Sequence, residues 1–151
     1  MYKTEITFTD YNDVERTEIL YFGFNKLEIL KLQAKKNGGF VEYLNRIAKA
    51  KQVEELMNAY EGLIDMSYGV KSDDGTAFVK SPETLAAFKS SPAYSEFLMK
   101  LIADEDNDVV KFITGIMPSD YVETVEKELK KNKYLYPEGS KGNNDANNNK
   151  D

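Results

Sequence analysis

Residues 2–22 read YKTEITFTDYNDVERTEILYF. Polar and apolar side chains alternate over residues 2–9, and this period of two is typical of a strand with one buried face. Residues 10–13 have turn chemistry, and residues 14–22 are rich in the β-branched and aromatic side chains of a second strand. The segment therefore predicts an N-terminal β-hairpin. Because a lone hairpin is marginal in water, it must pack on helices or pair with another strand, including one from another molecule.

The segments after the hairpin have the period of helices. Asn25 and Glu28 have the spacing of a capping box, and residues 37–39, Asn-Gly-Gly, are a typical helix end. The apolar residues of this first helix are Leu27, Leu30 and Ala34. Two further helices are predicted from apolar stripes at Phe40, Tyr43, Leu44, Ile47 and Ala48, and at Val53, Leu56, Met57, Tyr60, Leu63 and Ile64.

A central loop is predicted over residues 68–80. A small hairpin around Asp73-Asp74-Gly75 is the alternative, and Phe78 is the apolar residue expected to tie the loop down. Ser81-Pro82 and Ser91-Pro92 then predict two helix starts, because proline at the first helical position loses no hydrogen bond.

The last part of the body adds two more helices. Asp108 begins one that ends at Met117-Pro118, and Ser119 is predicted to cap the final helix. For residues 134–137, Tyr-Leu-Tyr-Pro, the sequence leaves two alternatives: they dock on the body or they extend from it. From Glu138 to Asp151 apolar residues almost vanish, which predicts a disordered polar tail.

These elements predict a mainly α fold with an N-terminal β-hairpin, an α+β class. A single domain is expected over residues 1–137, with the hairpin at 2–22 and a helical body at 25–133. Residues 138–151 form the predicted tail. Tyr43, Tyr60, Phe97 and Phe112 are predicted to lie in the core.

Composition argues against most catalytic and redox chemistry. The 151 residues include no cysteine and no histidine, so a thiolate nucleophile, the commonest general base and the commonest metal ligand are missing. Residues 104–108 have the first spacings of a calcium loop, but Val109 replaces the required glycine and Gly115 the bidentate glutamate. A helix-to-helix junction is the preferred interpretation. We predict no catalytic residue, no cofactor and no metal, with a carboxylate-only enzyme as the weakest alternative.

Charge and hydropathy also limit the partners. The formal net charge is −6, and such a charge repels nucleic acid and anionic membranes. No segment resembles a signal peptide or a membrane span, and we expect a cytoplasmic protein. The lysines of residues 127–133 lie on a predicted helix that also carries Glu123, Glu126 and Glu128. This indicates a solvated helix face with pairs such as Glu123 and Lys127 rather than a phosphate patch.

Several segments resemble the tail assembly chaperones of long-tailed bacteriophages and prophages of Gram-positive bacteria. They are FTDYNDVERTE at 8–18, SYGVKSDDG at 67–75, FVKS at 78–81, SPAYSEFLM at 91–99 and FITGIMP at 112–118. The resemblance spans about residues 6–118 and leaves the last helix and the tail unaccounted for. These motifs are structural, and the family supplies no catalytic residues to transfer.

The resemblance implies a nonenzymatic role. Such proteins coat the tape measure protein in many copies, help tail tube subunits polymerise around it, and leave the finished particle. The implied partners are the tape measure protein, further copies of the chain, and the tail tube protein through a longer, frameshifted form for which residues 138–151 would suit a linker. Exposure arguments put partner binding at Tyr68, Phe78 and Tyr94, around the central loop.

Two other functions stay open. One is a virion structural protein of the neck or tail-completion class, which would remain in purified particles. The other is an acidic DNA mimic that inhibits a host enzyme, although the acids are scattered among lysines rather than arrayed like phosphates.

Overall fold

The computed structural model describes residues 1–35 and 39–131. In this part of the chain the strands are β1 (Tyr2–Thr9), β2 (Glu15–Phe22), β3 (Tyr68–Lys71) and β4 (Phe78–Val79). The helices are α1 (Lys26–Gln33), α2 (Gly39–Lys49), α3 (Val53–Ser67), α4 (Pro82–Lys89), α5 (Pro92–Ala103), α6 (Asp108–Gly115) and α7 (Val122–Lys131), with a 3₁₀ turn at Ser119–Tyr121.

The mainly α fold with an N-terminal hairpin is confirmed. The predicted hairpin is β1–β2, with Tyr2 opposite Phe22 and Thr9 opposite Glu15. The predictions for residues 134–137 and for the tail at 138–151 lie outside the described residues. So do residues 37 and 38 of the predicted end of the first helix.

The sheet continues beyond the hairpin in the antiparallel order β1-β2-β3-β4. β2 pairs with β3 through Tyr21 and Gly69, and β3 pairs with β4 through Val70 and Val79. The central loop thus contains the small hairpin that was the alternative prediction. A lone hairpin was expected to need helices or another strand, and the N-terminal hairpin has both: it pairs with β3 and packs on helices α5 and α6.

One face of the sheet enters the core, which is the face predicted from the period of two. Ile6, Phe8 and Leu20 are buried, whereas Lys3, Glu5 and Thr7 are exposed. The core continues through buried side chains of all seven helices, including the predicted Tyr60, Phe97 and Phe112. Tyr43, also predicted to be core, is half-buried and packs against it.

Phe22 lies at the centre of an aromatic cluster. Its ring is fully buried and stacks on Phe97 with 4.6 Å between ring centroids. Four more aromatic rings lie around Phe22, namely Tyr2, Tyr68, Phe88 and Phe112. Offset-stacked and edge-on pairs of this kind add to the free energy gained by burial, so the cluster joins β1, β2 and β3 to α4, α5 and α6.

The prediction for the apolar face of α1 is wrong. Asn25 does form the predicted capping box with Glu28, but the helix buries Ile29 and Leu32. Leu27 and Leu30 are 57% and 61% exposed. The helix is short and carries apolar residues on two opposite sides, so periodicity alone does not identify the buried side, and tertiary contacts decide it.

The helix starts are mostly as predicted, with one correction. Ser81-Pro82 and Ser91-Pro92 begin α4 and α5. Ser119, predicted to cap the last helix, instead begins the 3₁₀ turn, in which Tyr121 N donates to Pro118 O at 2.9 Å. Because the chain turns once before it enters α7, that helix begins at Val122, two residues later than a cap at Ser119 predicts.

Replacing Phe22 by alanine should lower the free energy of unfolding by about 3–5 kcal/mol, because it removes a ring from a closed aromatic cluster. The matched control is Ile19→Ala in the same strand, where the side chain is 47% exposed. That change should cost less than about 1.5 kcal/mol. Urea unfolding followed by circular dichroism measures both, and equal losses would contradict a core centred on Phe22.

Candidate protein-interaction surface

The β3–β4 turn is held by one carboxylate. Asp74 Oδ1 accepts hydrogen bonds from Thr76 N at 3.0 Å, from Thr76 Oγ1 at 2.8 Å and from Ser72 Oγ at 2.8 Å. These bonds, led by the one from Thr76 N, lower the pKa of Asp74. Gly75 has a φ of +78°, which favours glycine at this position. The central loop is therefore an ordered turn with a defined shape.

Phe78 covers the face of the sheet that lies away from the core. It is paired with Lys71, and its ring lies against Gly69, where an added Cβ would come within 2.7 Å of the ring. Only glycine leaves room for the ring in this place. Phe78 is half-buried, so part of its side chain remains accessible to a partner.

Lys80 follows Phe78 and joins three parts of the fold. Its Nζ donates to Gly23 O at 2.7 Å, to Glu28 Oε2 at 2.7 Å and to Met66 O at 2.9 Å. The ammonium also lies 4.9 Å from the centroid of the Phe24 ring. We call Lys80, Glu28 and these two carbonyl groups the Lys80 junction. Burial lowers the pKa of Lys80, while the bond to Glu28 acts in the opposite direction.

Tyr68 and Tyr94 are brought together by a third ring, that of Phe88 in α4. Tyr68 stacks on Phe88 with 4.1 Å between centroids, and Tyr94 meets the same ring edge-on at 5.4 Å. Tyr68 is half-buried, and Tyr94 is only 8% exposed. Both tyrosines are thus placed on the core side of the sheet, whereas Phe78 lies on the other side.

The hydroxyl group of Tyr94 donates to Glu61 Oε2 at 3.0 Å. Burial raises the pKa of Tyr94 above its ordinary value of 10.0, and the hydrogen bond to the Glu61 carboxylate raises it further. The same cause, burial, raises the pKa of Tyr60 to about 12. Both phenols therefore stay protonated in the folded protein at pH values where an unfolded chain ionises them.

The acidic segment 104–108 is the helix-to-helix junction that was predicted. Asp104 ends α5 with a left-handed backbone, and its Oδ1 accepts a hydrogen bond from Val109 N at 3.0 Å. Asp108 is buried, and one of its carboxylate oxygens lies 3.9 Å from Lys100 Nζ. Across residues 1–35 and 39–131, no group of three or more acidic side chains is placed to hold a metal ion.

Sequence reasoning missed the accessible apolar side chains. Large apolar residues more than 50% exposed are Met1, Tyr11, Leu27, Leu30, Val53 and Met99. Leu27 and Leu30 are neighbours on α1. Their helical spacing was visible in the sequence, but it was interpreted as the buried face of the helix. On another side of α1, an apolar groove is lined by Ile29, Phe40, Leu44, Met117 and Val125, among others.

Comparison with known proteins identifies a family. A family model described as a phage tail assembly chaperone matches residues 1–151. No curated protein and no solved structure shows a significant match. In the part of the chain that the structure describes, no helix has the length and apolar character to cross a membrane.

Replacing Lys80 by methionine should lower the free energy of unfolding by about 2 kcal/mol or more, because it leaves carbonyl oxygens and Glu28 without their charged donor. Lys71→Met is the matched control, since Lys71 is exposed and its Nζ lies 5.6 Å from the centroid of the Tyr21 ring. It should cost less than about 1 kcal/mol. Equal losses of unfolding free energy in the two variants, measured by urea unfolding, would show that the Lys80 junction stabilises the fold no more than an exposed lysine does.

Stability should fall as the pH rises above 10. Because the folded state raises the pKa of Tyr94, the stabilisation from that phenol is complete below pH 10 and is lost as the pH approaches the folded-state pKa. Tyr94→Phe should make the alkaline slope of unfolding free energy shallower, and Glu61→Gln should do so in part. Urea unfolding between pH 8 and pH 11 measures this, and an unchanged slope in Tyr94→Phe would contradict it.

Proposed function

The chain belongs to the phage tail assembly chaperone family, and we propose that it binds and solubilises the tape measure protein and promotes tail tube polymerisation. The observation that carries the proposal is the family match over residues 1–151. A chaperone of this kind must stay soluble itself while offering apolar surface to a client. The net charge of −6 and the exposed leucines of α1 suit those two requirements.

The proposed role is nonenzymatic. A sequence without histidine or cysteine lacks the side chains most often used for acid–base and nucleophilic chemistry. The pKa shifts of Tyr94 and Lys80 also have structural explanations. Tyr94 is bonded to Glu61, and Lys80 is occupied by Glu28 and two carbonyl groups.

We propose that the contact surface uses the accessible part of the fold. Phe78 keeps part of its ring open and stays within the proposed surface, together with α1. Tyr68 and Tyr94 contribute indirectly, since their contacts with Phe88 hold β3 and α5 in place. Residues 1–137 act as one domain in this proposal, and residues 138–151 serve as a linker in a frameshifted form that recruits tail tube protein.

The assembly role sets where the protein acts. It works in the host cytoplasm, binds the client in several copies and is absent from the mature virion. A structural protein of the neck or the tail end would instead persist in purified particles. No feature of the described residues favours that second function.

Co-expression with the tape measure protein of the same phage tests the proposal. Size exclusion with light scattering should find the client in a soluble complex that holds several copies of this chain. The client alone, and the client with an unrelated acidic helical protein, are the controls and should precipitate. If the client still precipitates while this chain elutes alone, the proposed function is wrong.

A further inference from the structure

Helix α1 carries apolar side chains on two opposite sides. Ile29 and Leu32 are buried in the core. On the other side, Leu27, Leu30 and Ala34 follow spacings of three and four and are all exposed. At about 3.6 residues per turn, these three side chains lie on one strip of the helix surface. We call Leu27, Leu30 and Ala34 the α1 stripe.

The α1 stripe stands on a firmly held helix. The side chain of Asn25 accepts a hydrogen bond from Glu28 N at 2.8 Å, and Glu28 Oε1 accepts one from Asn25 N at 2.9 Å. Glu28 is bound at the same time to Lys80, and Ile29 is 1% exposed. A helix fixed at its start and along its inner face presents the stripe in one geometry. Little ordering entropy then opposes binding on this side of the interface.

Lysines border the α1 stripe. Lys26 lies on one side of it and Lys31 on the other. Lys35 lies just past the end of α1, in a turn where Lys35 N donates to Leu32 O at 3.2 Å. Lys26 forms an exposed ion pair with Asp120 at 2.7 Å. Lys31 and Lys35 form no ion pair with any other side chain that the structure describes. Lys31 and Lys35 therefore give one side of the stripe a positive charge, on a chain whose net charge is negative.

We propose that the α1 stripe binds an amphipathic helix whose apolar residues are flanked by acidic side chains. Apolar residues at positions i, i+3 and i+7 fit the facing side of such a helix, and its acidic flanks would pair with Lys31 and Lys35. The inference rests on the proposed function, since it assigns that helix to the tape measure protein. It adds to that function the surface used and the charge of the client segment.

Charge decides between the occupants. A second copy docked α1 against α1 would bring Lys26 and Lys35 of the two molecules close together, and like charges at an interface are unfavourable. The chain's own residues 132–151 hold as many lysines as acidic side chains, and their consecutive Tyr134-Leu135-Tyr136 lacks the spacing of a helical stripe. An acidic helix from another protein is the occupant that the lysines favour.

Fluorescence anisotropy with two designed helical peptides tests whether the α1 stripe prefers a helix with acidic flanks. Both peptides carry the same leucine stripe, flanked by glutamates in one and by lysines in the other. The glutamate peptide should bind the intact chain at least about tenfold more tightly than the lysine peptide. The difference should shrink between 0.1 M and 1 M NaCl, as the Debye length falls from about 10 to about 3 Å. Equal affinities at low salt would overturn the proposal.

Variants locate the binding site. The double change Leu27→Ala and Leu30→Ala keeps helix propensity and should weaken binding of the glutamate peptide at least about tenfold. The matched control is Val53→Ala with Met99→Ala, two exposed apolar residues on α3 and α5. This control should bind as the unchanged chain does. Circular dichroism confirms that both variants are folded, and undiminished binding by the α1 variant would overturn the inference.

The same variants separate this inference from the proposed function. If the unchanged chain and the α1 variant solubilise the tape measure protein equally well, the function stands and the stripe is not the site. If the unchanged chain binds the glutamate peptide but leaves the client insoluble, the proposed function is wrong, while the α1 stripe is still a binding site for acidic helices. Sedimentation of the chain alone covers the last case, since a dimer lost in the α1 variant would assign the stripe to a second copy.

Discussion

The Lys80 junction is the contact on which the arrangement of the accessible elements depends. One ammonium group holds the end of β2 through Gly23, the start of α1 through Glu28 and the end of α3 through Met66. These partners are 57, 52 and 14 residues away from Lys80 in the sequence. The bond to Glu28 lies on a helix that buries Ile29 and Leu32, so Leu27 and Leu30 on the opposite side face outward.

Local features of the fold were predictable because they are specified by neighbouring residues. The alternation of residues 2–9 gave the correct buried face of β1, and the spacing of Asn25 and Glu28 gave the start of α1. The orientation of α1 was not predictable, since it depends on contacts with residues distant in the sequence, Lys80 among them. The placement of Tyr68 and Tyr94 was not predictable either, because both depend on contacts with Phe88, which lies in a different element of the fold.

The fold combines a closed core with a small amount of fixed apolar surface. Phe22 and the surrounding rings stabilise the body without any contribution from α1's outer side. Exposed leucines can therefore be kept for a partner, at the cost of a patch that would favour aggregation in a neutral protein. The net charge of −6 offsets that risk, and lysines beside the stripe reverse the charge where the partner is expected.

The most direct measurement is site-specific photo-crosslinking in cells that express the chain with its tape measure protein. A photoreactive residue replaces Leu30 in one variant and Met99, a similarly exposed residue on α5, in the control. A chaperone that holds its client on α1 should give a covalent product with the tape measure protein from position 30 and none from position 99. A product from position 99 alone, from neither position, or with only a second copy of the chain would contradict it.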